Sequence, residues 1–228
     1  VLNKNNDFEI KAFSVSADEV GGDYYDTLKV HDNLFAIIIG DVSGKGTSAA
    51  FHMSQMKGVF HSLAQLGMSS KEFLVNANTA VSNCLEKASF ITVTYFLINT
   101  IKKEVEFARA GHCPTIYYDA KAKETKFFTN KGLGLGILRN GDFHKYIHVN
   151  KISYNPGDII ALYTDGISEA RNSDGEEYGY DRIKDVVHSS AKESPEVIQD
   201  ILIKDLYDFT GSSFINDDYT TLVIKFNN

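Results

Sequence analysis

Apolar and polar positions alternate along much of this chain. Phe8 to Ser16 reads FEIKAFSVS, the period of a half-buried strand. Tyr25–Val30 and Leu34–Ile39 flank His31-Asp32-Asn33, which predicts a hairpin. The period then changes. From Gly46 to Leu66, Ala49, Met53, Met56, Phe60 and Leu63 fall at helical spacing, with Val59 and Leu66 widening the stripe. Ser69 followed by Glu72 forms a capping box, and Phe73, Leu74, Ala77, Val81 and Leu85 give a second helix over 70–87.

Short strands are expected next at about Phe90–Asn99, Glu104–Ala110, Thr115–Tyr118, Thr125–Phe128, His144–Val149 and Asp158–Tyr163. Asn140-Gly141 and Pro156-Gly157 mark turns. Helical patterns return at Asp181–Ser189 and Ser194–Phe209, the latter opening with Ser then Pro, and Thr220–Phe226 closes as a strand. Strands and helices do not alternate strictly, which disfavours a doubly wound parallel sheet. Two largely antiparallel sheets with helices packed outside fit better.

Composition narrows the function classes. The 228 residues carry a net charge of −7 with 43% hydrophobic residues, an ordinary globular balance. No basic footprint is available for nucleic acid or an anionic membrane as main partner. Cys84 and Cys113 lie in no metal-binding spacing and read as thiols of a reducing compartment. No apolar run approaches the roughly 18 residues of a membrane span, and no signal peptide is visible. Residue 1 is Val, so a piece of a longer protein is expected.

The stretch FAIIIGDVSGKGT, Phe35 to Thr47, has the outline of a phosphate loop. The spacing is wrong, because three residues separate Gly40 from Gly44 and Lys45 is followed by Gly46. Asp41 would also repel a phosphate by about 4 kcal/mol at 4 Å and an effective dielectric near 20. Asp41, at the end of a buried strand, is a metal ligand or a structural turn residue. Similar acids follow Gly21-Gly22 (Asp23), end the run Leu162-Tyr163-Thr164 (Asp165), and precede the last strand (Asp217, Asp218). Oxygen-only ligands without supporting His or Cys point to Mg2+ or Mn2+ rather than Zn2+.

The motifs EVGGDYYD, GDVSGKG, ARAGHCP, YTDGISEARN and DDYTTL, in that order, resemble the SpoIIE/RsbU-like branch of the PPM (type 2C) metal-dependent serine/threonine phosphatases, from about Phe8 to Phe226. The resemblance implies an α+β fold, an αββα sandwich of two mainly antiparallel sheets flanked by helices. It implies one catalytic domain over 1–228, with an upstream sensor or regulatory region in the full-length protein. It implies two divalent cations, Mn2+ or Mg2+, bridged by Asp41 and held by Asp165, Asp217 and the carbonyl of Val42, with Asp23 contacting metal directly or through water. Asp218 is the alternative to Asp217.

The implied reaction is hydrolysis of phosphoserine or phosphothreonine through a metal-activated water, so those four aspartates carry the catalysis. The implied substrate is an anti-sigma-factor antagonist (STAS-type) protein of bacterial partner switching, in the cytoplasm. A homodimer and control of metal occupancy through the helices at 46–66 and 70–87 are further expectations, as is membrane anchoring through an upstream region. The animal members' phosphate-holding arginine has no counterpart before Asp23, where only Lys4 and Lys11 occur. The competing reading is a catalytically weak phosphatase-fold binding module.

Other features point elsewhere. His112 is a turn residue or a general acid. His144 and His148 sit on an expected strand, not a helical metal pair. Gly132-Leu133-Gly134-Leu135-Gly136 leads to no helix and is not a dinucleotide loop. Arg171, Asn172 and Lys45 are candidates to line a cleft or meet phosphate.

Overall fold

The computed structural model describes residues 6–139, 141–212 and 216–227. The chain forms two compact units. One comprises Asp18–His112 and Asn130–Ser153; the other comprises the segment ending at Ala17, Cys113–Thr129 and the chain from Tyr154 onward.

The first unit is built on β2 (Tyr24–His31), β3 (Leu34–Val42), β4 (Ile91–Asn99), β5 (Glu104–Ala110) and β8 (Val149–Ser153), ordered β2-β3-β4-β5-β8 and antiparallel throughout. The other strands belong to the second unit. β3 is a central strand, and its run Phe35 to Gly40 is buried without a break, which is why that stretch does not alternate. Helices α1 (Gly46–Ala64) and α2 (Ser70–Ser82) share a core with this sheet. Phe73 of α2 stacks on Tyr95 of β4 at 3.7 Å, and Phe60 of α1 meets both rings edge-on. The Ser69–Glu72 capping box opens α2, and Glu106 of β5 accepts from the Ser70 amide and hydroxyl at 2.8 and 2.9 Å. The start of α2 is therefore fixed to the sheet as well as capped.

The second unit has the order β1-β10-β9-β6-β7, again antiparallel, from β1 (Phe8–Val15), β6 (Thr115–Asp119), β7 (Glu124–Phe128), β9 (Ile159–Tyr163) and β10 (Tyr219–Phe226). α4 (Tyr180–Ser189) and α5 (Pro195–Thr210) bury Ile183, Val187, Ile198, Leu202 and Leu206 in its core. Ser194 caps α5 ahead of Pro195, and Gly211 ends it in the left-handed region at φ 67°. Fully buried Asp158 is held by the Tyr117 hydroxyl at 2.5 Å and by the amides of Ala120 and Asn155. A buried carboxylate is tolerable when its oxygens are bonded in this way.

Several boundaries differ from the sequence reading. α1 stops at Ala64, and Leu66, counted into its stripe, is 67% exposed beyond the cap. His52 is buried on that helix instead. α2 ends at Ser82, short of Leu85. The expected strand His144–Val149 is absent: Phe143–Tyr146 makes one 3-10 turn, and β8 begins only at Val149. Phe143 and Ile147 are buried there while Lys145 between them is exposed, so the segment does not keep the alternation of a half-buried strand. A one-turn helix, α3 (Asp165–Ser168), was not anticipated. The Pro156-Gly157 turn is present with Gly157 at φ 89°, whereas Asn140 of the other turn lies outside the described residues. Two antiparallel sheets with helices give the α+β class expected.

Candidate metal centre

In the first unit, β2 and β3 pair Tyr24 with Gly40, and the chain just before β2 runs close to the end of β3. Gly22 makes this approach possible. A methyl there would lie 2.9 Å from the Val42 carbonyl oxygen and 3.3 Å from the Ala49 side chain. The Val42 side chain is buried, which accounts for an apolar residue there. Thr92 donates to the Asp41 carbonyl at 3.4 Å and is bonded to Nδ1 of His112 at 3.0 Å. His112 is buried, and the Arg109 guanidinium donates to its carbonyl through Nε and Nη2. The same guanidinium reaches the Asn130 carbonyl at 2.8 Å. The turn role read for His112 matches this bracing. Lys45 is the exposed N-cap residue of α1.

In the second unit, Asp165 is the first residue of α3, separated from β9 only by Thr164. The segment Asp217-Asp218 leads into β10. The two meet at Gly166, where a methyl would lie 1.9 Å from the Asp218 carbonyl oxygen. The two acids of that segment are used differently. Asp218 accepts from the Ala17 amide at 2.8 Å, tying the entry of β10 to the chain after β1. Asp217 accepts from the next amide in its own turn at 3.0 Å. Asp218 thus has a structural task, which favours Asp217 for a ligand role.

The sequence reading missed Glu169, four residues beyond Asp165. Its amide bonds the Asp165 carbonyl at 2.7 Å, so the two stand one turn apart. Burial pushes the Glu169 carboxyl up, and Asp165, Glu177 and Asp217 push it further, against an opposing pull from Arg171. Asp165, Glu177 and Asp217 thus disfavour the charged form of Glu169, and a nearby cation would favour it. Arg171 donates to Glu177 at 2.5 Å and to the Gly175 carbonyl at 2.9 Å, and Asn172 donates to Glu176. These two candidates brace the 171–177 loop. His144 is bonded to the Gly141 carbonyl within its 3-10 turn.

In the first unit Asp23 and Asp41 flank the Tyr24–Gly40 end of the β2–β3 pair; in the second, the start of α3 after Asp165 meets the Asp217-Asp218 segment at Gly166. Among the described residues, no group of three or more His, Cys, Asp or Glu is arranged to hold a metal ion. The oxygen donors at α3 fit a hard divalent cation in kind.

The chain belongs to the Stage II sporulation protein E (SpoIIE) family, whose profile matches residues 31–227. It is 35% identical to phosphoserine phosphatase RsbU of Bacillus subtilis over 95% of this chain and 63% of that protein. It is 24% identical to phosphoserine phosphatase RsbP of the same organism, over 79% of this chain and 44% of RsbP. The chain therefore spans less than two thirds of these curated relatives. The solved RsbU and RsbW domains of Rv1364c from Mycobacterium tuberculosis match with a TM-score of 0.80 and 25% identity, over 97% of this chain and 60% of that one. The SiaA-PP2C domain of Pseudomonas aeruginosa shares the fold at a TM-score of 0.82 and 18% identity, over 96% of this chain and 86% of that one.

Proposed function

We propose that this chain is the catalytic domain of a metal-dependent protein phosphatase that hydrolyses phosphoserine or phosphothreonine. The observation that supports the proposal is a SpoIIE-family chain in which Asp23 and Asp41 flank the Tyr24–Gly40 end of the β2–β3 pair, and α3, opened by Asp165, meets the Asp217-Asp218 segment at Gly166. Asp23, Asp41, Asp165, Asp217 and the Val42 carbonyl would hold two divalent cations, Mn2+ or Mg2+. When bound, such cations lower the pKa of water and neutralise charge on a phosphoryl group.

The chain's own groups do the rest by positioning. β3 delivers Asp41 and the Val42 carbonyl in consecutive positions, and Gly22 keeps the Asp23 segment against them. Thr92 holds the Asp41 carbonyl, which limits rotation of that peptide. No nucleophilic side chain is needed, so neither cysteine has a part in the reaction. The substrate is a phosphorylated protein. The names of RsbU and RsbP support phosphoserine, and an anti-sigma-factor antagonist of a partner-switching pathway in the cytoplasm fits that class. Among the described residues no helix is long and apolar enough to cross a membrane.

Phosphate release from a phosphoserine protein, measured with Mn2+, with Mg2+ and with chelator, tests the proposal. Release that needs the cation supports it. Stoichiometric binding of the phosphoprotein without release favours the binding-module reading instead.

A further inference from the structure

We propose that Thr164 is the positioning residue for Asp165 and Asp217: its buried hydroxyl replaces its own carbonyl in the β9–β10 ladder, freeing that carbonyl to start α3. The inference rests on the metal-site reading above and concerns what holds two of its acids in place.

β9 and β10 pair regularly from Ile159–Lys225 to Tyr163–Thr221. The next pair is Thr164 with Thr220. In an antiparallel pair of this kind both residues exchange N–H···O bonds. The first bond is ordinary, from the Thr164 amide to the Thr220 carbonyl at 3.0 Å. The return bond is not. The Thr220 amide donates to Thr164 Oγ1 at 2.9 Å. The Thr164 carbonyl instead accepts from the Ile167 amide at 3.1 Å, the opening bond of α3. One residue therefore belongs to the sheet through its amide and side chain and to the helix through its carbonyl.

Neither Thr164 nor Thr220 has exposed surface, so water cannot replace a lost acceptor. The clamp continues sideways, because the Thr220 hydroxyl bonds Ser14 Oγ at 2.8 Å on β1. Asp165 is the next residue after Thr164, and Asp217 lies three before Thr220. Without the hydroxyl, the Thr220 amide must seek the Thr164 carbonyl, and that would unwind the start of α3. Alternatively it stays buried without a partner and the strand ends part. Either outcome moves Asp165 relative to Asp217. Valine has the shape of threonine without the acceptor, serine keeps the acceptor without the methyl, and cysteine offers a weak one.

The test is a Mn2+ titration of the parent chain and of Thr164→Val, Thr164→Cys and Thr164→Ser, read by water-proton relaxation and needing no turnover. Amide exchange at Thr220 in metal-free protein is the second readout. Thr164→Val is expected to weaken Mn2+ binding about tenfold or more, as loss of a ligand-orienting partner does, with Thr164→Ser near the parent and Thr164→Cys between. Thr220 exchange should accelerate in the same order. Affinity and exchange in Thr164→Val that match the parent would overturn the inference. If the valine variant does not fold, equal affinities for the cysteine and serine variants would overturn it. A parent that binds no Mn2+ counts against the metal-site reading, and Thr220 exchange then decides the clamp alone.

Discussion

Replacing Gly166 with alanine adds one methyl group at the tightest approach between α3 and the Asp217-Asp218 segment. That methyl would sit 1.9 Å from the Asp218 carbonyl oxygen, 2.9 Å from its carbon and 3.2 Å from the Tyr219 Cβ. Ordinary contact begins near 3.4 Å, so the oxygen must retreat by roughly 1.5 Å. The obstacle is main chain, which cannot swing aside like a flexible side chain. Overpacking of a buried site costs about 1–3 kcal/mol, and a backbone clash belongs at the upper end. At about 2–4 °C per kcal/mol for a chain of this size, the melting midpoint should fall by roughly 6–12 °C.

The functional effect should be larger than the stability effect. A displacement of about 1 Å at a reacting site costs on the order of 100-fold in rate. The assay is metal-free thermal unfolding beside Mn2+-dependent phosphate release at a temperature where the variant is folded. Gly58→Ala is the control: it lies within α1 with nothing near its added methyl, and should gain about 1 kcal/mol without altering Mn2+ dependence. A Gly166→Ala protein with the parent's midpoint and the parent's Mn2+ response would refute the claim that this contact positions Asp217.

Asp41→Asn should abolish cation-dependent phosphate release while leaving the circular dichroism spectrum and cooperative unfolding intact; turnover near the parent's would remove Asp41 from the site. Tyr117→Phe takes away the 2.5 Å hydroxyl bond to fully buried Asp158 and should cost about 1.5–3 kcal/mol in urea unfolding, with phosphatase activity per folded molecule unchanged. The Glu169 carboxyl is held above its ordinary value of 4.5 by burial and by its acidic neighbours. Folding therefore favours its protonated form, so its contribution is fully present below that value and is lost as pH rises through the folded-state value. In metal-free protein Glu169→Gln should raise the melting midpoint at pH 8 more than at pH 4; an equal gain at both would show that charge is not the cause.

Long elements were legible because burial follows period. α2 has a capping box, Ser69 with Glu72, and a stripe through Phe73, Leu74, Ala77 and Val81, and the structure buries that stripe. α5 was bounded by Ser194-Pro195 for the same kind of local reason. Elements whose contacts lie elsewhere in the chain were not legible. α3 is four residues long, too short for a period, and exists because Thr164 releases its carbonyl. The segment before β8 misled because Tyr146 and Val149 are exposed while Phe143 and Ile147 are buried. β8 itself, VNKIS, carries too few apolar residues to announce a strand. The acids at strand ends stood out through adjacent glycines, and Gly22 and Gly166 prove to be points of close backbone approach. Glu169 and Thr164 lay inside the YTDGISEA motif, but only distances distinguish their tasks from those of their neighbours.

The most direct test of the central claim is crystallographic: diffraction from Mn2+-soaked crystals at the manganese absorption edge, which locates the ions without reference to any expected site. The account predicts two anomalous peaks about 3.5–4 Å apart. Asp41 should touch both, with Asp23, Asp165, Asp217 and the Val42 carbonyl completing the ligands. Manganese bound elsewhere at full occupancy, with those carboxylates left uncoordinated, would contradict it.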